Sequence, residues 1–127
     1  MRAFLIVFLG AGIGGALRHG VNLASGRLFG SDFPIGTLFI NVAGSLLMGL
    51  IAGWFAFRAA GGGNQSARLF LTTGMLGGFT TFSTFSLETM LLWERGQTGA
   101  AAVYVAASVL LALLGCFAGL ALMRAVS

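Results

Sequence analysis

The sequence predicts an all-α membrane protein with four transmembrane helices, the third broken near its middle. Three observations carry this expectation. The 127 residues are 57% hydrophobic and 8% charged, with a mean hydropathy of +0.97, against about 25% charged residues in ordinary globular surfaces. Four apolar runs, at about 3–23, 36–57, 69–93 and 100–123, each approach the ~20 residues that cross ~30 Å of hydrocarbon. Finally, the run 74–88, GMLGGFTTFSTFSLE, is dense in Gly, Thr, Ser and Phe where a structural span would carry Leu, Ile, Val and Ala. The length accommodates a single transmembrane domain, 1–127, with no separate soluble domain.

The first run begins MRAFLIVFLG, which imitates a signal peptide but lacks a small-x-small cleavage site before a polar segment; it is expected to remain as the first helix. Gly10 and Gly14 form a GxxxG pair, which lets helix backbones approach closely in lipid. Arg18 falls within the last turns of this span. It snorkels to the interface, pairs with an acid, or places positive potential near an anion entrance.

The connection 24–34 is short and polar, and Pro34 followed by Gly36 and Thr37 marks the start of the second helix. Asn41, Ser45, Gly49 and Gly53 then recur every fourth residue and share one helix face. The small members suit a helix–helix contact. Asn41 carries two N–H donors that are costly when unpaired in a membrane; a helix–helix hydrogen bond and a functional site are both open readings.

Residues 58–68 have loop composition. The third run, as one straight helix of 25 residues, would span ~38 Å, more than the bilayer requires. Gly77–Gly78 is the expected point of loosening, because glycine costs about 1 kcal/mol relative to alanine in a helix. Thr80, Thr81, Ser83, Thr84 and Ser86 follow as a row of hydroxyls, and Phe79, Phe82 and Phe85 recur every third residue. Non-helical backbone at membrane depth is tolerated only where it is buried in protein or lines a cavity. Glu88 follows as a proton carrier, a vestibule residue or an arginine partner. In the fourth span Tyr104, Ser108, Ala112, Gly115 and Gly119 line one face.

The net charge of +4 comes from seven arginines set singly at helix ends against Asp32, Glu88 and Glu94. That scatter reads as topology signals rather than nucleic-acid binding. Arg2, Arg58, Arg68 and Arg124 on one side face Arg18, Arg27 and Arg95 on the other, a bias weak enough to allow insertion both ways and hence an antiparallel homodimer. The lone Cys116 forms no intrachain disulfide. No nucleophile–His–acid set, paired carboxylates or metal-ligand spacing is present, so no enzyme is expected. Hydroxyls, the Asn41 amide and phenyl ring edges, the positive side of the ring quadrupole, suit an anion. Carbonyls exposed at a helix break suit a cation.

GGALRHG at 14–20, GTLFINVAGS at 36–45 and GMLGGFTTFSTFSLE at 74–88 resemble the Fluc (CrcB) fluoride channels, and the resemblance covers all four spans. It implies a dual-topology homodimer in the bacterial cytoplasmic (inner) membrane, multi-pass, that exports fluoride passively, with a structural sodium ion at the dimer centre. It places the sodium ligands on the backbone carbonyls of Gly77 and Thr80. The pore-lining residues it implies are Asn41, Phe82, Phe85, Ser83, Thr84, Ser86, Glu88, Tyr104 and Ser108, with Arg18 near the vestibule. This chain departs from some family members in having Ala112 where they carry another hydroxyl, and His19 where an aromatic residue is common.

Two rivals remain. A proton-coupled exporter of the small multidrug-resistance type would use Glu88, since the first helix has no acid. A structural or assembly subunit would use the glycine stripes as partner surfaces.

Overall fold

The structure, a computed structural model, describes residues 1–58 and 64–126. Among these it is all-helical, and three helices are long and apolar enough to cross a membrane: Arg2–Phe29, Ile35–Arg58 and Thr98–Ala125. We label them α1 (Arg2–Phe29), α2 (Ile35–Gly53, continued by a π-helical turn Trp54–Arg58) and α6 (Thr98–Ala125). Between α2 and α6 lies a composite segment. It consists of α3 (Gln65–Leu69), a π-helical stretch Phe70–Leu76, α4 (Gly77–Phe79) and α5 (Phe82–Glu94).

Helix α1 runs further than its apolar run, through Phe29, and ends where Gly30 takes a φ of 78°, a left-handed conformation that costs glycine nothing. Part of the expected 24–34 connection is therefore helix. Pro34 sits at the N-cap of α2, one residue ahead of the first helical position.

Two close helix pairings organise the bundle, and each depends on missing side chains. Along α2 and α6 the chain runs in the same direction. A Cβ on Gly119 would lie 2.6 Å from both Leu46 O and Leu50 N, one on Gly53 would lie 2.8 Å from Met123 Cβ, and Gly49 packs on the carbonyl of Cys116. The small-residue stripes of the second and fourth spans therefore meet each other. Helix α1 pairs in the same way with the segment 70–79. A Cβ on Gly10 would lie 2.8 Å from Phe70 O, Gly14 packs on the carbonyl of Met75, and Gly78 packs on that of Ala11. With almost no apolar driving force between helices in lipid, such contacts supply the dispersion that holds them.

The expected loosening at Gly77–Gly78 does not occur there. Both glycines are helical in α4, and Gly78 is spent on contact with α1. The extended residues come next: Thr80 has φ −84°, ψ 157° and Thr81 has φ −153°, ψ 126°. The buried core is small, formed by Phe85, Leu92, Ala101 and Tyr104, with Phe33, Leu38 and Ala100 packed against it. Most other large apolar side chains are exposed, as expected of a surface that meets lipid.

Candidate functional site

The site grows from the two extended residues. Asn41, presented by α2, grips Thr81 with both ends of its amide: Nδ2 donates to Thr81 O at 3.0 Å and Oδ1 accepts from Thr81 N at 2.9 Å. Thr81 then starts α5 as its N-cap, its hydroxyl accepting from Thr84 N at 3.2 Å, the usual role of a threonine at that position. Of the open readings for Asn41, the interhelical hydrogen bond is thus realised, and one of its two N–H donors is used by it.

These bonds have a consequence for two carbonyls. In an unbroken helix Gly77 O would accept from Thr81 N, and Thr80 O from Thr84 N. Both N–H groups are directed elsewhere, to Asn41 Oδ1 and to Thr81 Oγ1. The oxygens of Gly77 and Thr80 are thereby released from the regular ladder, and carbonyl oxygen is the ligand type that hard cations take. Among the described residues no group of three or more His, Cys, Asp or Glu could hold a metal.

Arg18 reaches the same place from α1. Its Nε donates to Gly78 O at 3.2 Å, a carbonyl near the C-terminal end of a helical piece, where a cation is electrostatically favoured. Arg18 therefore pairs with backbone, not with an acid.

Beside the extended residues, a groove of about 380 Å³ is lined by Asn41, Ser45, Phe82, Phe85, Ser108 and Ala112, among others. Phe82 and Phe85 lie with ring centroids 5.5 Å apart and planes tilted by 44°. Phe85 is buried, whereas Phe82 is 77% exposed. Ser108 on α6 is buried, and its hydroxyl has no hydrogen-bond partner among the described residues. Phe79 is not part of this pair. The extended residues separate it from Phe82 and it packs near Gly44 of α2, so the three phenylalanines do not share a face.

The remaining candidates divide. Tyr104 is fully buried, with its ring 5.2 Å from that of Phe85 and its hydroxyl donating to Glu88 Oε1 at 3.0 Å. Glu88 thus takes a tyrosine as partner where an arginine was one reading, and it lines a second cavity with Thr37, Leu91 and Arg95. Ser86 donates to Phe82 O on its own helix at 3.0 Å, and the Ser83 and Thr81 hydroxyls lie 3.4 Å apart. The structure therefore brings Asn41, Phe82, Phe85 and Ser108 to one groove and Tyr104 to Glu88, while Ser86 is satisfied on its own helix, Ser83 is exposed beside Thr81, and Thr84 is half-buried outside the groove lining.

Thr37 was read from the sequence only as a helix start. It is 1% exposed, lies beside the Tyr104 hydroxyl, and lines the second cavity. A threonine three residues past a helix-starting proline was the available signal.

The chain is similar to known proteins over nearly its whole length. A relative from Rhodopseudomonas palustris (strain BisB5), named fluoride-specific ion channel FluC, is 60% identical over 124 residues, covering 98% of each chain. One of the same name from Methylobacterium nodulans is 66% identical over 120 residues, covering 94% of each. A third, from Beijerinckia indica, is 56% identical over 127 residues and the whole of both chains. The family model described as CrcB-like protein, Camphor Resistance (CrcB) matches residues 5–120, and the chain belongs to that family.

Proposed function

We propose that this chain is a fluoride-selective channel that exports fluoride passively across the bacterial cytoplasmic membrane, working as an antiparallel dual-topology homodimer. The printed names of its relatives support the ion. The observation that carries the reading is the Phe82–Phe85 pair at a groove shared with Asn41 and the unpartnered hydroxyl of Ser108.

Fluoride is small and strongly hydrated, so its passage needs donors at each step. The spare N–H of Asn41, the Ser108 hydroxyl and the ring edges of Phe82 and Phe85 offer positive potential without a full charge. A fixed cation in the path would hold the ion too tightly, because conduction requires weak or multiple sites. Beyond Phe85 the path continues past Tyr104 to Glu88, flanked on α5 by Ser83, Thr84 and Ser86. Most of the Phe82 ring is left uncovered by its own chain, which supports a second copy completing the wall.

The carbonyls of Gly77 and Thr80, released from the helical ladder, fit a structural sodium ion. Bound there, sodium supplies positive charge that lowers the self-energy of an anion in the middle of the membrane. Arg18, held on Gly78 O, adds charge on the α1 side of the same segment.

The test is anion efflux from liposomes containing only the purified protein, under a potassium gradient clamped with valinomycin. Rapid fluoride loss with negligible chloride loss is expected. Absence of fluoride loss in sodium-containing buffer overturns the reading.

A further inference from the structure

The charged residues divide unequally between the two ends of the bundle. Helix α1 begins, and α2 and α6 finish, at one end, so Arg2, Arg58 and Arg124 lie there with Arg68 of α3, which packs on α1. Asp32 and Glu94 belong to the opposite end, and Glu88 lies less than two turns before Glu94. Arg18, Arg27 and Arg95 lie toward that same end. The sequence therefore sets four arginines and no Asp or Glu at the first end, against three of each sign toward the second.

Two of the four guanidiniums are brought to one place. Gly53 of α2 packs on Met123 of α6. The π-helical turn Trp54–Arg58 that follows carries Arg58 across to α6, where its Nη1 donates to Val126 O at 2.7 Å. In return Arg124 of α6 sits over the ring of Phe57, its guanidinium carbon 5.0 Å from the centroid. Each arginine thus rests on a near neighbour of the other, and both are exposed. Like charges so placed repel, and an anion that touches both relieves the repulsion. A guanidinium carries five N–H donors in a planar fork that matches a phosphate, and the Val126 bond takes one of those on Arg58. Within about a turn of the two guanidiniums, toward the middle of the spans, Trp54, Phe57 and Leu122 are exposed. Tryptophan at that level suits the boundary between headgroups and acyl chains.

We infer that this end of the α2–α6 pair is a binding surface for an anionic phospholipid. Arg58 and Arg124 hold its phosphodiester, and Trp54, Phe57 and Leu122 carry its acyl chains. The exposed apolar flank is what selects a lipid over a free anion, which would use the charge and leave that flank uncovered. The inference rests on the chain being embedded in a membrane and not on the identity of the ion it conducts. An arginine near a bilayer surface contributes about 1 kcal/mol of attraction to anionic lipid, roughly fivefold in binding, and salt screens it.

The experiment is native mass spectrometry of the purified protein released from detergent containing equal amounts of phosphatidylglycerol and phosphatidylcholine. Both lipids carry the phosphodiester, and only the first has a net negative charge. The wild type is expected to retain phosphatidylglycerol in excess. Arg58→Gln and Arg124→Gln are each expected to lower that preference roughly fivefold, and Arg58→Lys, which keeps the charge and loses the fork, by less. Arg27→Gln, an exposed arginine at the opposite end, is expected to leave it unchanged. Equal retention of the two lipids by the wild type overturns the proposal, and so does an equal loss of preference in Arg27→Gln. Displacement of the retained phosphatidylglycerol by an excess of inorganic phosphate identifies a free-anion site and overturns the lipid.

A second measurement needs no variant, and so stands even where loss of the Val126 bond unfolds Arg58→Gln. Thermal melts of the wild type in detergent are expected to shift upward more with added phosphatidylglycerol than with phosphatidylcholine. The difference is expected to shrink as the Debye length falls from ~30 Å at 0.01 M salt to ~3 Å at 1 M. Equal shifts, or a difference that salt does not change, overturn the assignment to the arginines.

Discussion

Asn41 and Thr81, forty residues apart in the chain, are joined by two hydrogen bonds of 3.0 and 2.9 Å that occupy both ends of one amide and both backbone polar groups of one residue. An extended residue at membrane depth has no water to satisfy it, so this amide is what makes the conformation of Thr81 affordable. Asn41→Ala leaves an N–H and a C=O without partners, at about 1–3 kcal/mol each. A comparable fall in the free energy of unfolding is expected in detergent titrations. Asn41→Asp, which keeps an acceptor for Thr81 N and loses the donor to Thr81 O, is expected to fall in between.

The glycines of α1 separate cleanly into those that touch a neighbour and those that do not. Gly14 packs on the Met75 carbonyl, while nothing lies within 4 Å of a Cβ on Gly15. Gly14→Ala is expected to unfold or disassemble the protein, because backbone cannot move aside as a side chain can. Gly15→Ala is expected to be neutral or to stabilise by up to ~1 kcal/mol through helix propensity. Size-exclusion profiles and thermal melts of the two variants check this. Equal behaviour would show that the α1 contact with residues 70–79 is not what holds the pair.

Phe82 and Phe85 differ in what their loss costs. Phe82 is largely exposed, and Phe85 is buried against Tyr104. Phe82→Ile is expected to abolish fluoride efflux with an unchanged melting temperature. Phe85→Ile is expected to abolish it with a modest loss of stability, below the roughly 3–5 kcal/mol of a Phe→Ala truncation. Normal flux in both would remove the rings from the mechanism.

The Tyr104–Glu88 bond separates channel from proton-coupled exporter. Glu88→Gln keeps an oxygen that can accept from Tyr104 and removes the titrating proton. Fluoride efflux that persists in this variant and ignores an imposed proton gradient is the expected result. Efflux driven by the gradient in the wild type and lost in Glu88→Gln would instead establish the small multidrug-resistance-type reading. Tyr104→Phe, which strips the carboxylate of its donor, is expected to lower flux in either case.

Much of the membrane architecture is written in composition. A chain with 8% charged residues cannot cover itself for water, and runs of about 20 apolar residues can only be satisfied as helices in lipid. The glycine and hydroxyl density at 74–88 likewise marks the segment around which the site forms, because such residues are poor filler for a structural span. The small-residue stripes of the second and fourth spans are legible from spacing as faces, but that they meet each other is shown only by the contacts of Gly49, Gly53 and Gly119.

Tertiary structure decided where the helix stops and what each polar group does. Gly77 and Gly78 looked like the weak point by propensity, a term of about 1 kcal/mol per residue. Yet Gly78 is needed against Ala11, and the extended residues fall at Thr80 and Thr81, where Asn41 satisfies both backbone polar groups of Thr81. That shift of three residues detaches Phe79 from Phe82, frees the carbonyls of Gly77 and Thr80, and gives Arg18 its partner in Gly78. The Asn41–Thr81 and Arg18–Gly78 bonds join residues forty and sixty positions apart, which local pattern cannot contain; only the cap that Thr81 places on Thr84 N is local.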